Sequence, residues 1–198
     1  MDYVIPMEVV SDIARAAEKK AQLSARDLVV RGMLAGGFLA YATSMVLVVL
    51  TQGSPPIVGA IVFPAGFAML VLLGMELVTG NFAVLPLGWM DGRVTAGGVL
   101  RNWTWVYVGN LLGCVLYALL FYVAITSFGA TSGGALADQV RQLALKKTLA
   151  YAALGAGGWA TAFVKGMLCN WMVTVGAVAA FTSRSTLGKI VAMWLPIA

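Results

Sequence analysis

Histidine is absent from this 198-residue chain, and charged residues make up only 11% of it. Without histidine, haem ligation by imidazole, His-based metal sites and His proton relays are closed to it. Cysteine occurs twice, at Cys114 and Cys169, each inside an apolar run. That argues against a disulfide framework or a thiolate metal site, and no cofactor is expected. The scarcity of charge excludes an ordinary soluble domain, in which about 25% of residues are charged. The basic residues form no cluster with aromatics between them, so no nucleic-acid partner is expected. No nucleophile–base set is recognisable, so the chain does not read as an enzyme.

What the chain has instead is apolar sequence: 61% hydrophobic residues and a mean hydropathy of +0.90. The apolar runs are long and unbroken, unlike the alternating ten-residue segments of a membrane β-barrel. The fold class is therefore an all-α polytopic membrane protein. Residues 1–27 carry Ile5, Val9, Val10, Ile13, Ala14, Ala17 and Ala21 at helical spacing, with charges at the other positions. That pattern predicts an amphipathic N-terminal helix along the membrane surface. A first span runs from about Leu28 to Leu50. A second apolar run begins at Ile57, meets the polar stretch Glu76–Asn81, and resumes to Trp89. A Gly-containing polar interruption of this kind predicts a helix broken near 75–84. Asp91–Arg101 reads as a polar link and Trp103–Phe128 as a third span, closing a three-span unit over 28–128. Residues 129–154 read as an external link, and 155–198 as a fourth span followed by a short apolar run.

That last run, Leu187–Ala198, has 12 residues. At 1.5 Å per residue it covers roughly 18 Å, against roughly 30 Å of hydrocarbon. The sequence is therefore expected to continue beyond Ala198. Orientation follows from Lys and Arg. With the N-terminus inside, nine of the 13 lie on inner segments and three on outer ones, with Lys165 inside a span. A cytoplasmic N-terminus is expected, in the cell (cytoplasmic) membrane.

Two echoes point to an internal duplication. Arg31-Gly32-Met33-Leu34 returns as Lys165-Gly166-Met167-Leu168, 134 residues on, and Pro64 returns as Pro196, 132 residues on. A repeated three-span unit must be inverted in the membrane, because three is odd. The second repeat is incomplete here.

Several residues stand out for chemistry. Non-helical backbone at membrane depth is tolerated where it lines a cavity or is buried in protein, which draws attention to Glu76–Asn81. A half-helix starting there presents N–H groups and a positive dipole end, suited to an anion, and Thr79 adds a hydroxyl donor. Lys165 is an intramembrane cation. It either raises the potential for anions or forms a structural ion pair with Glu76. Asn170 sits mid-span, to meet solute or bridge helices. Phe63 and Phe67 are four residues apart on one helix face, as an apolar constriction or as packing.

With those residues in view, the sequence resembles the formate/nitrite transporter family. The matching pieces are Gly74-Met75-Glu76-Leu77-Val78-Thr79-Gly80-Asn81, Asn102-Trp103 with Tyr107-Val108-Gly109-Asn110, and Gly166-Met167-Leu168-Cys169-Asn170-Trp171. The resemblance covers the whole chain. It implies an aquaporin-like inverted repeat, a homopentamer with one pore per protomer, and passage of small anions such as formate and nitrite through the lipid bilayer. Carried over by motif, Leu77 and Thr79 fall on the second-span loop, Phe63 and Phe67 on apolar constrictions, and Asn170 on the polar position of the fourth span. The family's central His, in a Glu-His-Ser stretch, is expected beyond Ala198, as is the sixth span. The alternative functions are a channel for water or small neutral solutes and a non-redox membrane anchor. Against the water channel, no Asn-Pro-Ala tripeptide occurs.

Overall fold

The computed structural model describes residues 2–198, and nearly all of them are helical. In chain order the helices are α1 Pro6–Gln22, α2 Ala25–Thr51, α3 Pro56–Val62, α4 Pro64–Leu72 and α5 Val78–Met90. They continue with α6 Ala96–Thr126, α7 Gly134–Lys147, α8 Leu149–Ala152, α9 Gly155–Ala179 and α10 Thr186–Ile197. A 3-10 turn, Ala180–Thr182, extends α9. Three stretches are long and apolar enough to cross a bilayer: Ala25–Thr51, Ala96–Thr126 and Gly155–Thr182.

The scaffold is the α2–α6 pair, the most extensive helix contact in the molecule. Small residues let the two backbones approach closely. Gly32 meets Gly109, and a side chain at Gly36 or Gly113 would overlap the backbone of Asn110 or Met33. These glycines are chosen for space, because their helical φ needs no glycine.

The second span is two half-helices in line. Phe63 stays helical between α3 and α4, and Pro64 begins α4 without an N–H to donate. The Ile61 carbonyl next to this bend accepts from the Trp194 indole at 3.1 Å, which ties α10 to it. After Leu72 the helix stops. Gly74 takes the left-handed φ of 67° that ends a helix, and Leu77 is fully extended at φ −118° and ψ 122°. α5 then restarts at Val78. The break occupies residues 73–77, so it meets the polar interruption only at Glu76 and Leu77; Val78–Asn81, expected to be non-helical, form the first turn of α5.

Two links hold more structure than their polarity indicates. α6 starts at Ala96, before the apolar run, because the Thr95 hydroxyl caps it by accepting the Gly98 N–H at 3.1 Å. Its first turns grip the end of α1: Arg101 donates to the Ala21 and Leu23 carbonyls at 3.4 and 3.0 Å, and the Asn102 amide to that of Lys20 at 3.2 Å. The last carbonyls of a helix lack intrahelical donors; that of Lys20 also accepts the Leu23 N–H at 3.4 Å. In the link after α6, α7 forms because Ala, Leu, Gln and Lys are strong helix formers.

α1 lays Val9, Ile13, Ala14 and Ala17 against the bundle, chiefly on α5. The residues before it clasp the α9–α10 turn. Val4 N–H donates to the Thr182 carbonyl at 2.9 Å. The Asp2 carboxylate accepts from the Ser185 N–H at 2.6 Å and from the Ser183 and Ser185 hydroxyls at 2.8–2.9 Å. These bonds, Ser183's foremost, hold the Asp2 carboxyl below its ordinary ionisation range.

Candidate functional site

The break between α4 and α5 is fixed by three side chains brought by α6. Asn110 of α6 does the most. Its Oδ1 accepts the Val78 N–H at 3.0 Å, and its Nδ2 donates to the Glu76 and Gly32 carbonyls at 2.8 and 2.9 Å. One carboxamide thus satisfies the backbone on either side of the extended Leu77 and pins it to α2. Asn102 and Trp103 hold the far side: Asn81 Nδ2 reaches Asn102 Oδ1 at 2.9 Å, and the Trp103 indole donates to the Asn81 carbonyl at 3.1 Å. Buried backbone polar groups in a membrane need such partners.

The Glu76 side chain is 2% exposed. One carboxylate oxygen accepts Lys20 Nζ at 2.7 Å and the other accepts Asn81 Nδ2 at 2.8 Å. Of the two alternatives for Lys165, the ion pair with Glu76 does not form. Lys165 is exposed on α9, its Nζ 3.3 Å from the Tyr151 hydroxyl and 5.4 Å from the centre of that ring. Lys20 takes the carboxylate because the end of α1, held by Arg101 and Asn102, lies directly over the break. Sequence reading missed Lys20 as a site residue. The only signal was a basic residue at the end of an amphipathic helix, and that pattern has many other uses.

Beside the break lies a cavity of about 180 Å³. Phe67 and Leu77 line it, with Lys20, Gly80 and Asn81. Its walls are otherwise apolar, and Lys20 is the one cation among them. Gly80 stands in the first turn of α5, where helix geometry leaves N–H groups without an intrahelical acceptor. Phe63 does not line this cavity. It sits half-buried at the α3–α4 bend.

Two polar atoms stand apart. Among the described residues, Thr79 Oγ1 and Asn170 Oδ1 are buried side-chain oxygens with no hydrogen-bond partner. Thr79 is the second residue of α5. Asn170 lies on α9, seven residues before the cavity-lining Ala177, or about 10 Å along the helix axis. An unpartnered buried hydroxyl or amide costs about 1–3 kcal/mol, so such groups mark places where a solute or water completes the bonding.

The family model described as "Formate/nitrite transporter" matches residues 7–198. The chain is 32% identical to a probable formate transporter of Methanothermobacter thermautotrophicus, over 97% of this chain and 74% of that relative. It is 30% identical to the nitrite transporter NirC of Salmonella typhimurium, over 94% of this chain and 67% of the relative. Its fold is similar to the solved structure of an "FNT family ion channel". That likeness has a TM-score of 0.73 and 28% identity, and covers 96% of this chain and 74% of the other.

Proposed function

The chain belongs to the formate/nitrite transporter family, and from that premise we propose that it conducts small monovalent anions, formate and nitrite among them, across the cytoplasmic membrane. It does so by passage rather than catalysis. The observation that carries this reading is the pair of orphaned buried oxygens, Thr79 Oγ1 in the first turn of α5 and Asn170 Oδ1 on α9, the helix that packs against α5.

An anion in a hydrocarbon slab needs charge and donors close at hand. Lys20 presents ammonium N–H donors to the cavity, its charge balanced by Glu76 at 2.7 Å. The first turn of α5 adds N–H donors and the positive end of a half-helix. The Thr79 hydroxyl donates to the anion, and the Asn170 amide, turned to present Nδ2, donates from α9. Phe67 and Leu77 form the apolar neck that strips water, and Phe63 guards the approach along α3. Lys165, free of any carboxylate among the described residues, raises the potential for anions along α9. The N-terminus is cytoplasmic, and the apolar outer faces of α2 and α6 meet lipid and neighbouring protomers of a homopentamer.

Thr79→Val tests this. The substitution keeps the branched shape and removes the hydroxyl donor. A hydrogen bond to a charged group is worth about 1.5–3 kcal/mol, so formate and nitrite uptake into liposomes should fall about tenfold or more per assembled oligomer. Wild-type uptake with intact assembly would take Thr79 out of the pathway.

A further inference from the structure

A second cavity of about 510 Å³ lies between α1, the end of α4 and the α9–α10 turn. It is more polar than the cavity beside the break: Asp12, Ser183, Arg184, Thr186 and Lys189 make up half of its lining, with charges of both signs, and apolar side chains make up the rest. The two cavities have only Val71 and Phe181 in common among their lining residues.

Resting on the anion-conduction reading, we propose that Val71 and Phe181 form a partition between a wet inner vestibule and the pore cavity, and that it sets the size of anion admitted. Both residues sit at chain ends of rigid elements. Val71 is in the last turn of α4, just before the break, and Phe181 is in the 3-10 turn that closes α9. Each is anchored in a different apolar cluster. Val71 packs with the cluster of Phe67, Leu77 and Ala180, and Phe181 with that of Val9, Ile13 and Leu85. The backbone after Phe181 is fixed by the Thr182 carbonyl, which accepts from Val4. Val71 and Phe181 thus come from different elements and are the lining residues at which the two cavities adjoin. A solute leaving the vestibule trades charged walls for apolar ones across a single aromatic ring. Pore width at such a constriction decides which solutes pass.

Two measurements on reconstituted protein test the partition. The first is relative uptake of lactate and formate into liposomes. Phe181→Ala should raise the lactate-to-formate ratio about tenfold, and Val71→Trp should lower formate uptake by a similar factor. Phe163→Ala, on an exposed position of α9, should change neither. The second does not depend on permeation. A Cβ at Gly80 meets only Ala177, at 3.7 Å, so Gly80→Cys fits the inner cavity without strain. In a Cys114→Ser, Cys169→Ser background, its labelling by an anionic methanethiosulfonate from the vestibule side should accelerate about tenfold when Phe181→Ala is added. A lactate ratio and a labelling rate both within twofold of the Phe181 protein would overturn the partition. Accelerated labelling with no formate or nitrite uptake by the wild type would retire the anion reading and leave the partition standing.

Discussion

Lys20→Met removes one partner of a buried ion pair and leaves the other behind. In the folded protein the Glu76 carboxylate is 2% exposed, with Lys20 Nζ at 2.7 Å on one oxygen and Asn81 Nδ2 at 2.8 Å on the other. Without Lys20 the charge keeps a single neutral donor. Breaking a buried pair from one side costs about 3–5 kcal/mol, which is between about two and four powers of ten in the folding equilibrium. Adding Glu76→Gln should return most of that loss. The glutamine oxygen still accepts from Asn81, and no charge remains to be solvated. The double variant is expected within about 1 kcal/mol of the wild type, since neutral replacement of a whole buried pair is often nearly free. Denaturant unfolding in detergent micelles measures this, followed by tryptophan emission, because Trp103 donates to the Asn81 carbonyl beside the pair. A double variant no more stable than Lys20→Met alone would refute the reasoning. The two charges would then be uncoupled, and Lys20 would matter only through its contact with the rest of α1.

Asn110→Leu strips the Val78 N–H and the Glu76 and Gly32 carbonyls of their partner at once. A loss of about 3 kcal/mol or more is expected, read as a collapse in the yield of assembled protein from membranes. Lys165→Met should lower anion flux more at low ionic strength than at high, because salt screens a long-range potential. Equal loss at both would assign Lys165 a structural role. The Asp2 carboxyl ionises more readily in the folded protein than at its ordinary value of 3.8, through its bonds to Ser183 and Ser185. Its contribution is therefore complete above that value and is lost as pH falls through the lowered one. Protection factors of the Arg184 and Ser185 amides, taken against the intrinsic rate at each pH, should fall on acidification, and Asp2→Asn should abolish that response.

Much of the fold was legible because hydrocarbon imposes length and polarity on any chain that crosses it. Apolar runs marked the three long spans, and the Glu76–Asn81 interruption marked the break between α4 and α5. The pattern was weakest where a polar residue serves another helix. Arg101 looked like a link residue and Asn102 stood out only through the family motif, yet both bond the end of α1, 80 positions upstream for the Arg101–Ala21 bond. Asn110 looked like one polar residue in an apolar run, and nothing local says that it closes the loop. Phe67 and Leu77 could be singled out from their place beside the interruption, and the structure brings both to one cavity. Lys20 could not. Charge alone made Lys165 the natural partner for Glu76, whereas proximity gave that place to a residue on a surface helix.

The position of Asn110 also has a consequence for biogenesis. A nascent chain emerges N-terminus first, so Lys20 and Gly32 reach the bilayer before the break is made. Asn102, Trp103 and Asn110 do not, since all three follow it in α6. Until α6 arrives, the Glu76 carbonyl and the Val78 N–H have no carboxamide to meet, and each unpaired backbone group in hydrocarbon costs several kcal/mol. α5 therefore waits at the water interface or within the insertion machinery. It enters together with α6, as a late and paired step. Ribosome-stalled chains whose α6 is still inside the exit tunnel would leave α5 open to aqueous reagents, and chains long enough to release all of α6 would not.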